Sequence, residues 1–219
     1  MATILCLETA TTNCSVALSV NGSVIAFKED RSSAYTHAEK LHPFIEEVLA
    51  QVSILKTNLD AVAVSKGPGS YTGLRIGVSA AKGLCYALDI PLISIPTLSS
   101  MVIPVKMESD YKIPLLDARR MEVYSAVFND RNEEVRETRA EVLNEDAFSD
   151  FLNEGKVIFL GSGMEKFQKI IDHPNAIFVP DAMPSAIDMA GMAEIKYKKS
   201  DIEDVAYFEP YYLKDFISG

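Results

Sequence analysis

Short apolar runs bounded by turn residues dominate the first third of the chain, a pattern consistent with strands. Ile4–Glu8 and Cys14–Val20 read as two of them, and Asn21-Gly22 precedes a further apolar run, Val24-Ile25-Ala26-Phe27. Asn-Gly between such runs predicts a hairpin, because both central residues of a tight turn need positive φ. The period then lengthens. Leu41, Phe44, Ile45, Val48, Leu49 and Val52 recur at the i, i+3, i+4, i+7 spacing of one helical face. Pro43 is tolerated if it falls in the first turn of that helix. Ala61–Ser65 is a β-branched run that reads as a buried strand. It is followed by the glycine-rich loop Gly67–Gly73, a helix over about 74–88 and a strand at Pro91–Ile95.

The second half opens in the same way. Ile113–Asp117 reads as a strand ending on an acid, Ala118-Arg119-Arg120-Met121 turns the chain, and Glu122–Phe128 returns. Ile4–Glu8, the polar loop 9–13 and Cys14–Val20 form the same series. Beyond lie a helical stretch at Asp146–Asn153, a strand at Lys156–Leu160, and helices at Met164–Ile171 and Ser185–Tyr197. The pattern is a duplicated α/β unit with its boundary in Ser99–Ser109, the alternative being a chance likeness of two hairpins. The expected lobes are 1–104 and a smaller 105–219, an arrangement in which the last helix packs back on the first lobe being compatible with it.

Composition narrows the class. The 219 residues are 48% hydrophobic and 24% charged, with a mean hydropathy of +0.08, as in a soluble globular protein. No run approaches the roughly 18 apolar residues of a membrane span. The N-terminal residues lack the basic and apolar regions of a signal peptide, so the expected location is the cytoplasm. Cys6, Cys14 and Cys85 are odd in number and unsuited by spacing to a disulfide framework or a zinc site. Acids outnumber bases 31 to 21, a balance that argues against a chain gripping nucleic acid by itself.

Few residues suggest chemistry. Gly67, Gly69, Ser70, Thr72 and Gly73 could cradle a phosphate at a helix N-terminus or could make a tight strand-to-helix turn. The Lys-Ser/Thr pair of a P-loop is missing. Gly73, Gly77 and Ala81, four residues apart, make a shallow helix face for a second helix or for the protein's own sheet. His37 and His42 are wrongly spaced for a metal pair, and together with His173 they read as solvated or capping groups. Glu8 and Asp117 read as caps of their hairpin loops in preference to paired catalytic carboxylates. No nucleophilic triad can be assembled, and neither a metal nor a cofactor is expected.

Several runs resemble a known family. Leu7-Glu8-Thr9-Ala10-Thr11 through Ser15-Val16-Ala17-Leu18 is similar to the first phosphate hairpin of the actin/Hsp70/sugar-kinase superfamily. Gly67-Pro68-Gly69-Ser70-Tyr71-Thr72-Gly73-Leu74-Arg75-Ile76-Gly77, continuing into Ala81-Lys82-Gly83-Leu84, resembles a signature of the TsaB family and its relative TsaD. Pro96-Thr97-Leu98, Asp117-Ala118-Arg119-Arg120, Glu122-Val123-Tyr124 and Pro210-Tyr211-Tyr212-Leu213-Lys214 follow in TsaB fashion. Three positions depart. Glu8 stands where the superfamily has Asp, and Lys214 where Arg is usual. Thr97 and Met101 match the histidine pair that helps bind the catalytic metal in TsaD.

The resemblance implies a duplicated actin/Hsp70-like (ribonuclease H-like) two-lobed α/β fold. It also implies a non-catalytic subunit, needed while TsaD transfers threonylcarbamoyl to the adenosine beside the anticodon of tRNAs reading codons that begin with A. TsaE would join the complex, the chain would form a homodimer when alone, and tRNA would be met only through the complex. The implied partner surface involves Leu41, Phe44, Ile45, Val48, Arg75, Gly77, Val78, Ala81 and Lys82. Two other classes remain in view, an ATP-dependent phosphotransferase and a metalloprotease.

Overall fold

The computed structural model describes residues 2–32 and 36–214. β1 (Thr3–Glu8), β2 (Cys14–Val20) and β3 (Ser23–Asp30) form the expected meander, with Asn21 and Gly22 at φ 52° and 76° between the last two. α1 (His37–Gln51), β4 (Ala61–Gly67), α2 (Tyr71–Leu88), β5 (Leu92–Pro96) and the short α3 (Thr97–Val102) follow. The next run comprises β6 (Tyr111–Asp117), β7 (Glu122–Asn129), β8 (Glu134–Val142), α4 (Ser149–Glu154), β9 (Val157–Leu160), α5 (Met164–Gln168) and β10 (Ala176–Val179). α6 (Ala186–Lys198) is the last helix among the described residues. No helix of the described residues is long and apolar enough to cross a membrane.

The first sheet has the order β3-β2-β1-β4-β5 and the second β8-β7-β6-β9-β10. Each therefore places its opening strand centrally, antiparallel to the second and parallel to the fourth. The repeat is one of topology. It extends beyond what periodicity showed, because the four-residue β10 and the six-residue α3 are too short to register as periodic segments.

Two compact units result, Met1–Ser100 with Pro184–Gly219, and Met101–Met183. The second unit thus ends at Met183 and not at 219. The reason lies in the pleat of the first sheet, which buries apolar residues on both faces. Leu5, Leu7, Val16, Leu18, Val62 and Val64 point to α1 and α2. Ile4, Cys6, Ala17, Ala61, Ala63 and Ile93 point the other way, and α6 covers them with Ala186, Met189 and Ala193. Without α6 that face would lie open, at a cost of about 25 cal/mol per Å² of apolar surface. In the second unit, Phe148, Phe159, Phe167 and Phe178 form a ring cluster with neighbouring centroids 4.8–6.4 Å apart.

α1 begins at His37, so Pro43 lies inside the helix and not in its first turn. Burial compensates for the missing backbone donor. Leu41, Ile45, Val48 and Leu49 all sit in the core, and His37 is itself buried, donating from Nε2 to the carbonyl of Thr11 at 2.7 Å. That tie overturns the reading of His37 as a solvated or simple capping histidine. Burial also lowers its pKa.

Candidate functional site

The β1–β2 loop and the β4–α2 loop of the first unit meet directly. Ser70 donates its N–H to the Ala10 carbonyl at 2.7 Å, and its side chain caps α2 by accepting from Gly73 N at 3.3 Å. Leu74 N returns to the Ser70 carbonyl at 2.8 Å. Thr9 Oγ1 donates to the Gly73 carbonyl at 2.8 Å. The glycines permit this approach. A Cβ on Gly69 would overlap the Ala10 carbonyl, one on Gly73 the Thr9 carbonyl, and one on Gly77 the Thr9 hydroxyl. Of the expected phosphate loop, Ser70 and Gly73 have N–H groups spent inside the chain, Gly69 is pressed on Ala10, and Gly67 takes φ 107° to turn out of β4. Thr72 faces solvent on α2. The segment makes a tight strand-to-helix turn.

Glu8, at the end of β1, is fully buried. Its Oε1 accepts from Ala10 N at 2.6 Å, while Oε2 has no hydrogen-bond partner. Burial pushes its carboxyl up to about 7, the Ala10 and Ser65 bonds opposing and the charge of Asp188 adding slightly. The Ser65 hydroxyl has a firmer commitment, 2.6 Å from Thr97 Oγ1. In the second unit Asp117 performs the same capping, accepting from Arg119 N at 2.6 Å, but it is exposed and paired with Lys166 at 2.6 Å. Both acids are therefore loop caps in matching places of the two units. Thr97 and Met101 are buried, and neither carries an imidazole. Among the described residues no cluster of three or more His, Cys, Asp or Glu could hold a metal. The three cysteines are buried as thiols, Cys6 pushed up by burial to about 12 and Cys14 and Cys85 to about 11.

A groove of about 720 Å³ runs along α2, lined by His42, Tyr71, Arg75, Ser79, Ala80 and Gly83 among others. Arg75 sits 5.3 Å from the Tyr71 ring centroid and donates to its hydroxyl at 2.8 Å. Tyr212, from the C-terminal segment, stacks on Tyr71 with centroids 5.0 Å apart. That segment is tied down where Tyr211 N meets the Lys66 carbonyl at 2.7 Å.

The partner surface expected from the sequence is largely corrected here. Leu41, Ile45, Val48, Gly77, Val78 and Ala81 are core residues, packed on the sheet or against Thr9. Lys82 is committed to the chain, donating to the carbonyls of Ala206 at 3.1 Å and Phe208 at 3.0 Å. Phe44 is half-buried, and Arg75 alone of the nine is fully exposed. The helix has two small-residue faces, and Gly73, Gly77 and Ala81 lie on the inner one. Ser79 and Gly83, also four apart, mark the outer face, and a Cβ on Gly83 would meet nothing within 4 Å. The spacing was visible, but nothing in the sequence said which face is covered.

The topology, a duplicated unit with each opening strand central, defines a protein of the actin-like two-lobed α/β class. The Acidaminococcus fermentans (R)-2-hydroxyglutaryl-CoA dehydratase component A shares that fold with a TM-score of 0.52, at 8% identity over 92% of this chain and 100% of that one. The family model described as TsaD, tRNA N6-adenosine threonylcarbamoyltransferase, matches residues 31–208, and the chain belongs to that family, in its TsaB (YeaZ-like) branch. It is 29% identical to the Haemophilus influenzae tRNA threonylcarbamoyladenosine biosynthesis protein TsaB over 99% of this chain and 95% of the relative. A solved Pseudomonas aeruginosa structure, described as similar to peptidase YeaZ, superposes with a TM-score of 0.83 at 23% identity, over 98% of this chain and all of that one.

Proposed function

We propose that this chain is a non-catalytic subunit in the synthesis of threonylcarbamoyladenosine on tRNA, docking on the TsaD transferase. The observation that carries this reading is the closed phosphate loop. The N–H groups of Ser70, Gly73 and Leu74 are bonded to Ala10 and Ser70, so a phosphate drawing on them would have to break bonds that hold the unit together. The relatives named TsaB, matched over almost the whole chain, supply the pathway. The accessible groove on α2, lined by small residues and an arginine, suits a helix of the transferase. TsaE joins the assembly, tRNA is met only through it, and the chain forms a homodimer when alone. The working compartment is the cytoplasm.

The test is an omission assay. Threonylcarbamoyl transfer from its adenylate to unmodified tRNA is followed with TsaD, TsaE and ATP, with and without this chain. Product that vanishes on omission, with none from this chain alone, supports the reading; unchanged product sinks it. A phosphotransferase is the second reading, favoured by the orphaned Oε2 of Glu8. Calorimetric titration of the isolated chain with Mg-ATP separates the two, since submicromolar binding requires the loop to open.

A further inference from the structure

The tip of the β6–β7 hairpin in the second unit is Ala118-Arg119-Arg120-Met121, and it is built unusually. Arg119 and Arg120 hold consecutive left-handed conformations, φ 71° and 50°, a region that non-glycine residues rarely occupy. The conformation is pinned from several sides. Asp117 Oδ1 accepts from Arg119 N at 2.6 Å, Ala118 N bonds the Glu122 carbonyl at 3.0 Å, and Glu122 N bonds the Arg119 carbonyl at 3.1 Å. Asp117 N donates to Ser162 Oγ at 3.1 Å. Glycines would make this turn without strain, so the arginine side chains are what the strained backbone retains.

Those side chains are exposed, and neither guanidinium bonds to a described residue. Of the other arginines, Arg31 is paired with Glu29, and Arg136 and Arg139 with Glu141. Lys166 pairs with Asp117 beside the tip, so that carboxylate is already offset, in a chain with a net charge of −10.

We propose that the Arg119–Arg120 tip binds two phosphates of the RNA substrate, on the partner-subunit reading given above. Two adjacent unpaired cations on a rigid turn call for two adjacent anions. A phosphodiester backbone presents one per nucleotide whatever the sequence, whereas a protein surface does so only where acids happen to be consecutive. Two contacts are too few to hold RNA against the repulsion of an acidic chain. Their effect is to set the position of an RNA that the assembly already holds.

The experiment measures binding of unmodified tRNA to the assembly of this chain with TsaD and TsaE, by fluorescence anisotropy across a potassium chloride series. Two lost phosphate contacts make the log Kd against log salt slope shallower by about 1.4–1.8, and weaken binding about twentyfold near 0.15 M salt. That is the result expected of Arg119→Ala/Arg120→Ala, with Arg119→Lys/Arg120→Lys keeping the slope. The single Arg120→Ala, expected to remove half the slope change, serves if the double variant does not fold. TsaD co-purification should be unchanged in every variant. An unchanged slope overturns the proposal, and so does loss of TsaD binding, which would make the tip a protein contact. An assembly that does not form even with the wild-type chain sinks the partner reading, and this proposal with it.

Discussion

Replacing Gly77 or Gly83 by alanine makes the same chemical change on the same helix, yet the two variants should move stability in opposite directions. In a helix interior, alanine is favoured over glycine by about 1 kcal/mol, and this gain applies at both sites. At Gly83 nothing lies within 4 Å of the new methyl group, so the gain should appear nearly undiminished. At Gly77 the methyl would fall inside 3.0 Å of Thr9 Oγ1, with Thr9 Cβ and Cγ2 at 3.4 Å. Thr9 cannot withdraw freely, because it is buried in the β1–β2 loop and its hydroxyl donates to Gly73 O at 2.8 Å. Overpacking of this kind costs about 1–3 kcal/mol. Losing the buried hydrogen bond adds about 1 kcal/mol. After the propensity gain, Gly77→Ala should destabilise by about 1–3 kcal/mol, some 2–4 kcal/mol apart from Gly83→Ala. Urea midpoints at a shared m-value measure both changes. Adding Thr9→Ala should recover part of the Gly77→Ala loss, as a coupling energy between contacting residues. If Gly77→Ala is neutral or stabilising, α2 does not seat on Thr9 and the account of its inner face is wrong.

Glu8→Gln should reveal the penalty of a buried carboxyl. The folded pKa is raised from 4.5 to about 7, so the native state holds its proton more tightly than the unfolded chain. The stability tied to that proton is fully present below about pH 4.5 and is lost as pH rises to about 7, on the order of 3 kcal/mol in all. The variant should lack this part of the decline, and parallel wild-type and variant stability curves between pH 4.5 and 7.5 would refute it. Gly83→Arg should leave the fold intact, since that position is open, while weakening TsaD binding at least tenfold by calorimetry if the groove is the docking face. Full affinity with a folded variant would move the interface elsewhere. Arg136→Met should lower the unfolding free energy by about 2 kcal/mol, because it removes the partner of Glu141 at 2.7 Å and a cation held 4.9 Å from the Phe148 ring. A thermal midpoint within error of wild type would show that Arg139 alone satisfies Glu141.

Much of the fold was legible in the chain. Short apolar runs placed β1, β2, β4 and β6, Asn21-Gly22 marked the hairpin, and the 3.6-residue stripe from Leu41 to Val52 marked α1, because each pattern records a single local geometry. The acids closing two matched strands pointed to the duplication, and Glu8 and Asp117 do cap matching loops. Tertiary structure decided which face of each element is covered. Spacing left Gly73, Gly77 and Ala81 to face either a second helix or the protein's own sheet, and Thr9, more than sixty residues away in the chain, occupies that side and leaves Ser79 and Gly83 to the groove. The contact of the Gly-rich loop with the Ala10 carbonyl was likewise invisible in the sequence. α6 follows the second unit in the chain but packs on the first sheet, whose two apolar faces both needed cover. Periodicity is a property of neighbours in sequence, whereas coverage depends on contacts between distant segments. That is why the elements could be read in advance and the surfaces could not.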